Sequence, residues 1–117
     1  GKSSCVLKIN KPMKIIIAGA GEVSYHLAKL LACESKDIYV IDNIPERLTY
    51  IQSHIDVFTL EGDAKSIIVL EQANIAKCNF LIAATSSEEV NFLVSVLGKK
   101  LGAKKTIIRF NESEANK

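Results

Sequence analysis

From Met13 onward, short apolar runs alternate with stretches of helical period. Runs rich in Ile, Val and Leu over residues 14–18, 37–42, 56–60, 79–84 and 105–110 read as strands, and several are apolar enough to be buried on both faces, as in parallel sheets. After the first of them, Val23, Leu27, Leu30 and Leu31 recur at helical spacing and are expected to face the sheet. Pro45 suits the first turn of a second helix, which Leu48 and Ile51 carry toward Ile55. Ser66 stands where it can cap a short third helix bearing Ile67, Leu70 and Ala73. Ser86 followed three residues later by Glu89 has the form of a capping box, so the longest helix starts there, runs to about Leu101 and stops at Gly102. Val90, Leu93, Val94, Leu97 and Leu101 make its core stripe. Phe92 and Val96 lie on another side, which means either a wide core face or a subunit interface.

Strands alternating with crossover helices define an α/β chain. Right-handed crossovers on five parallel strands predict a doubly wound, Rossmann-like three-layer fold of order 3-2-1-4-5, with its ligand crevice at the carboxyl ends of strands 1 and 4. Residues 1–12 show no period, end in Pro12 and read as a poorly ordered extension ahead of a domain over 13–117. The same pattern anticipates a further helix and a sixth strand beyond Lys117.

Composition narrows the function classes. A 117-residue chain that is 48% apolar has the size of one domain with a real core, and a net charge of +2 spread over both signs gives no field for nucleic acid or anionic membrane. The basic cluster Lys99, Lys100, Lys104 and Lys105 reads as a solvated helix end. No apolar run approaches the roughly 20 residues of a spanning helix, so direct membrane insertion is not expected. Cys5, Cys33 and Cys78 are odd in number and scattered, which fits a reducing cytosol, with Cys33 and Cys78 as small core residues.

The chemistry gathers at strand ends. In Gly19-Ala20-Gly21-Glu22-Val23, Gly19 permits a tight turn, and Gly21 lets backbone approach a pyrophosphate at the opening of a helix, where free N–H groups and the helix dipole favour an anion. Asp42 follows by about the 20 residues expected of the ribose-binding acid, and its carboxylate favours an unphosphorylated ribose over that of NADP(H). Ser24 occupies the place of the fingerprint's third glycine. Its hydroxymethyl group must either push the helix outward or bond back to a carbonyl one turn earlier. Gly62-Asp63-Ala64 after strand 3, Thr85-Ser86-Ser87 after strand 4, and Arg109 at the end of strand 5 fall on the same edge, and their alternatives are turn, cap and surface charge.

These blocks, with Val40-Ile41-Asp42, Glu46-Arg47-Leu48, Glu61-Gly62-Asp63-Ala64, the Asn91 helix position and Lys99-Lys100-Leu101-Gly102-Ala103-Lys104-Lys105, resemble the N-terminal nucleotide-binding domain (RCK or TrkA-N type) of Trk potassium-uptake regulatory proteins over Met13 to Asn111. The resemblance implies a cytoplasmic, non-catalytic subunit, peripheral to the inner membrane through its partner. It would bind NAD(H) or ATP/ADP, with AMP as a further candidate, and gate a potassium transporter as a homo-oligomer whose dimers build a larger ring. It also implies a phosphate turn of Gly19, Ala20, Gly21, Glu22 and Val23, a ribose site at Asp42 with Asn43 and Arg47, adenine contacts near Gly62, Asp63 and Ala64, and a distal pocket at Ala84, Thr85 and Arg109. In that family Ser24 is usually glycine.

Two other classes compete. The cofactor half of an NAD-dependent dehydrogenase would need a proton donor near the nicotinamide. The histidines, His26 and His54, are expected within the first helix and at the end of the second, away from the crevice mouth. An assembly domain with a degenerate nucleotide site is the remaining alternative.

Overall fold

The computed structural model describes residues 13–110. The extension expected over 1–12 and the chain after 110 lie outside the described residues. Five strands, β1 (Lys14–Ala18), β2 (Asp37–Asp42), β3 (Phe58–Glu61), β4 (Phe80–Ala83) and β5 (Lys105–Ile108), form one parallel sheet of order β3-β2-β1-β4-β5. Four helices, α1 (Glu22–Leu31), α2 (Pro45–His54), α3 (Ile67–Gln72) and α4 (Glu88–Leu101), make the connections, with a 3-10 turn at Ile75–Lys77. The doubly wound order read from the sequence is the order observed.

Side-chain alternation along the central strands divides the core into two layers. Ile15 and Ile17 of β1 pack with Ile38, Val40, Leu48 and Ile51 beneath α1 and α2. Ile16 and Ala18 point the other way, joining Ile41, Leu70, Leu81 and Val94 beneath α3 and α4. Every residue of β1 is buried, whereas the edge strands β3 and β5 are partly exposed. Strand 3 begins at Phe58 rather than at residue 56, because Val57 N–H bonds back to the Ile55 carbonyl and delays the ladder.

The helix faces depart from the expected ones. On α1 the buried residues are Ser24 and Ala28, while Val23 is 43% and Leu30 is 73% exposed, and Leu27 and Leu31 sit at the margin. A helix entering straight from a glycine turn lies close to the sheet, so small side chains fill the contact and larger ones flank it. On α4 the buried line is Asn91, Val94, Ser95 and Gly98. Leu93, expected in the core, is 46% exposed and joins Phe92 and Val96 on the outer side. The cause is again close approach: a Cβ at Gly98 would collide with Leu81 Cδ2, and Ser95 Oγ donates to Thr106 Oγ1 at 3.0 Å. The α4 cap is Ser87, whose Oγ accepts from Val90 N–H at 3.2 Å, one residue beyond the expected Ser86. At the other end, Lys99 Nζ donates to the Lys104 carbonyl at 2.7 Å, so part of the basic cluster closes the helix terminus.

Of the two cysteines in the described residues, Cys78 is fully buried, but Cys33 is only half-buried and so is not the core residue expected. Burial pushes the Cys78 thiol up from 9.0 to about 11. The unfolded chain therefore loses this proton first, and stability is retained below about pH 9 and lost as pH rises toward 11. Two units correspond to roughly 2 to 3 kcal/mol. We predict that denaturant titrations between pH 9 and pH 11 show a smaller stability loss in Cys78→Ala than in wild type; parallel curves would exclude the thiol as the source.

Candidate functional site

The carboxyl ends of β1, β2, β3 and β4 are stitched together by backbone hydrogen bonds. Gly19 N–H donates to the Ile41 carbonyl at 2.7 Å, Ala84 N–H to Ala18 at 2.9 Å and Gly62 N–H to Asp42 at 2.9 Å. Above these joints opens a crevice of about 510 Å³, within the usual range for small-molecule sites.

Gly19 and Gly21 have different reasons to be glycine. Gly19 has φ +106°, and a Cβ there would lie 3.0 Å from Thr85 N and 3.1 Å from the Ala84 carbonyl carbon. Gly21 caps α1 with an ordinary φ of −81°, and a Cβ there would meet no atom within 4 Å. The first constraint is folding, whereas the second is open space beside a helix terminus. First-turn N–H groups have no acceptor inside their own helix, and no side chain caps α1. The turn can therefore accept an anion.

Asp42 is tied more tightly than a waiting ligand contact requires. Its Oδ2 accepts from Ala20 N–H at 2.7 Å and its Oδ1 from Ile44 N–H at 2.8 Å, and the residue is buried. A carboxylate offers about four acceptor positions, so these bonds leave capacity for further hydrogen-bond donors. Arg47, in the first turn of α2, brings Nη1 to 3.7 Å from Oδ2, with its side chain about half exposed. That pair is loose and solvated, so its energetic weight is small.

Across the sheet, Asp63 uses Oδ1 to accept from Lys65 N–H at 2.9 Å and so shapes its own turn. Arg109 N–H donates to the Ala83 carbonyl at 2.9 Å, and its Nη1 lies 3.4 Å from the carbonyls of Ala84 and Thr85. The crevice wall includes every site residue picked out from the sequence: Gly19, Ala20, Gly21, Glu22 and Val23; Asp42, Asn43 and Arg47; Gly62, Asp63 and Ala64; Ala84, Thr85 and Arg109. Ser86 and Ser87, placed on this edge from the sequence, line it too, and Ile41, Lys65 and Val90 line it as well and were missed. For Ser87, two adjacent serines before a helix give no local reason to choose the second as the cap. His26 and His54 are absent from this wall; both meet Tyr25 edge to face on the outside of α1 and α2.

Ser24 is buried, and its Oγ has no hydrogen-bond partner. The bond back to a carbonyl one turn earlier, one of the two expected accommodations, is not made.

A parallel sheet of this order, a glycine turn opening a helix and an acid closing the neighbouring strand define the class of Rossmann-like nucleotide-binding folds. More narrowly, the chain belongs to the TrkA-N domain family, which matches residues 15–117. It is 39% identical over 102 residues to a Trk system potassium uptake protein TrkA homolog of Archaeoglobus fulgidus, covering 87% of this chain and 23% of that protein. It is 42% identical over 81 residues to Trk system potassium uptake protein TrkA of Halomonas elongata, covering 69% and 18%, respectively. A TrkA homolog of Pyrococcus horikoshii is 36% identical over 101 residues, with 86% and 44% covered. The chain thus spans less than half the length of these relatives. Its fold matches the TrkA-N domain of inner membrane protein ybaL from Escherichia coli with a TM-score of 0.61 at 17% identity, covering 92% of this chain and 94% of that one.

Two stability predictions follow from this geometry. Gly19→Ala should lose roughly 1 to 3 kcal/mol through the left-handed backbone alone, while Gly21→Ala should change little, as read by chemical denaturation. Ser24→Ala should raise the melting temperature, because an unsatisfied buried hydroxyl costs about 1 to 3 kcal/mol; a lowered temperature would show that the hydroxyl is satisfied in solution.

Proposed function

We propose that this chain is a regulatory domain that binds an adenine nucleotide, NAD(H) or ATP/ADP, and through it gates a membrane potassium-uptake transporter. The observation that carries the reading is the meeting of uncapped α1 N–H groups, open space at Gly21 and the Asp42 carboxylate in one crevice. Phosphate would lie on the helix terminus, and the adenosine ribose on Asp42, which disfavours a 2′-phosphate. The adenine would lie toward Asp63 and Ala64, and AMP would be the smallest ligand to engage this half.

The potassium-uptake names of the relatives support the partner, and the absence of a histidine on the crevice wall supports a binding role over hydride chemistry. No helix among the described residues is long and apolar enough to cross a membrane, in keeping with a cytoplasmic subunit that reaches the membrane through its transporter. Phe92, Leu93 and Val96 leave an apolar side of α4 open to solvent, and this side supports assembly with a second copy into dimers of a larger ring. A nucleotide would gate by binding two conformations of that assembly with unequal affinity.

Calorimetry with AMP, ADP, ATP, NAD and NADH tests the reading. Wild type should bind at least one of them, and Gly21→Val, whose side chain fills the open space at the α1 cap, should weaken that binding at least tenfold while the chain still unfolds cooperatively. Absence of wild-type binding to the whole panel would instead favour an assembly domain with a degenerate site.

A further inference from the structure

Asn91 is a polar residue on the buried line of α4, and it is 1% exposed. Its Oδ1 accepts from Thr85 N–H at 2.9 Å and from Thr85 Oγ1 at 2.6 Å. Its Nδ2 donates to the Thr85 carbonyl at 3.0 Å and to the Arg109 carbonyl at 3.2 Å. An amide side chain has two donor hydrogens and two acceptor positions, and all four are used here. The Thr85 N–H, which can only donate, decides which end of the amide is oxygen. One side chain therefore fixes the turn after β4 and the end of β5 to the same turn of α4.

That position divides the crevice. The residues that would take ribose and the first phosphate, Asp42 and the Gly19–Gly21 turn, belong to β2 and β1, and Asn91 makes no bond to them. Thr85 and Arg109 lie on the other side of β1, where a ligand continuing past its first phosphate would arrive. Thr85 spends its N–H and carbonyl on Asn91 and its hydroxyl on Asn91 and Ser87, so its polar groups hold shape. The Arg109 guanidinium, against the Ala84 and Thr85 carbonyls, is the group left to meet an anion.

We propose that Asn91 is a positioning residue that makes the site selective for ligands extending beyond a nucleoside monophosphate, by holding Arg109 and the Thr85 turn in a fixed relation. The inference rests on the nucleotide reading above and adds to it a determinant of ligand length. Asn91→Asp keeps the acceptor toward Thr85 but turns a second acceptor toward the Thr85 and Arg109 carbonyls, which separates the two segments. Thr85→Val removes the hydroxyl's bonds to the Asn91 amide and to Ser87 N–H and carbonyl, leaves the other three Asn91 bonds in place and is the milder probe.

The experiment is calorimetry of AMP, ATP and NAD against wild type and both variants. In Asn91→Asp, ATP and NAD affinity should fall at least tenfold while AMP affinity stays within about twofold. Thr85→Val should shift the same ratio by about threefold, and it carries the test if Asn91→Asp does not fold. A general structural role would weaken all three ligands by one factor, and that result, or no change in the ratio, would overturn the inference while leaving nucleotide binding intact. A wild-type chain that binds none of the three would overturn the nucleotide reading and this inference together.

Discussion

The Asp42 carboxylate, accepting from Ala20 N–H and Ile44 N–H, is the interaction on which the site depends. A tight turn that leaves a strand through Gly19 at φ +106° is held at one end only by the sheet, and its other end must be anchored before a helix can start at a defined angle. The anchor is a charge-assisted bond from a neighbouring strand, in a place dry enough to make it strong. In the proposed function, recognition and architecture are coupled in one residue. The acid proposed for the ribose also sets where the N–H groups that open α1 point.

Asn91 does for β4 and β5 what Asp42 does for β1 and β2. Each is a buried polar side chain on one strand end or helix face that closes a turn on the crevice rim, and each has backbone groups as its partners. Buried polar groups stabilise only when satisfied, and these two are. Ser24 is the contrast. Its hydroxyl is equally buried, bonds to nothing in the protein and sits with Ala28 on the buried line of α1.

Architecture was legible in the sequence because parallel strands buried on both faces leave continuous apolar runs, and the glycine turn and Asp42 stood at a diagnostic spacing. Helix faces were less legible. Periodicity finds the largest apolar residues, yet where a helix approaches a sheet closely the contact belongs to Ala28, Ser95 and Gly98, and Val23, Leu30 and Leu93 turn outward. The same effect hid the role of Asn91: hydropathy reads a polar residue beside an apolar stripe as its edge, when the stripe is centred there. Its partners, Thr85 and Arg109, are 6 and 18 residues away, and only the latter separation is beyond local pattern.

The sheet itself limits how such a crevice could signal. β1 pairs with β4 from Ile15–Phe80 to Ala18–Ala83, and Ala84 N–H extends the ladder to the rim, so the two halves of the floor share one hydrogen-bonded surface and cannot hinge apart cheaply. Any ligand-driven change has to travel through elements that stand on the floor. α1 is seated by the Asp42-anchored turn, and α4 by Asn91 and the close contact at Gly98. The outer apolar side of α4, with Phe92, Leu93 and Val96, belongs to the same rigid helix as the amide that reads the crevice rim. A shift of Thr85 or Arg109 large enough to strain the four bonds of Asn91 would therefore reach that surface as a movement of the whole helix, since a packed helix moves as a body before it bends.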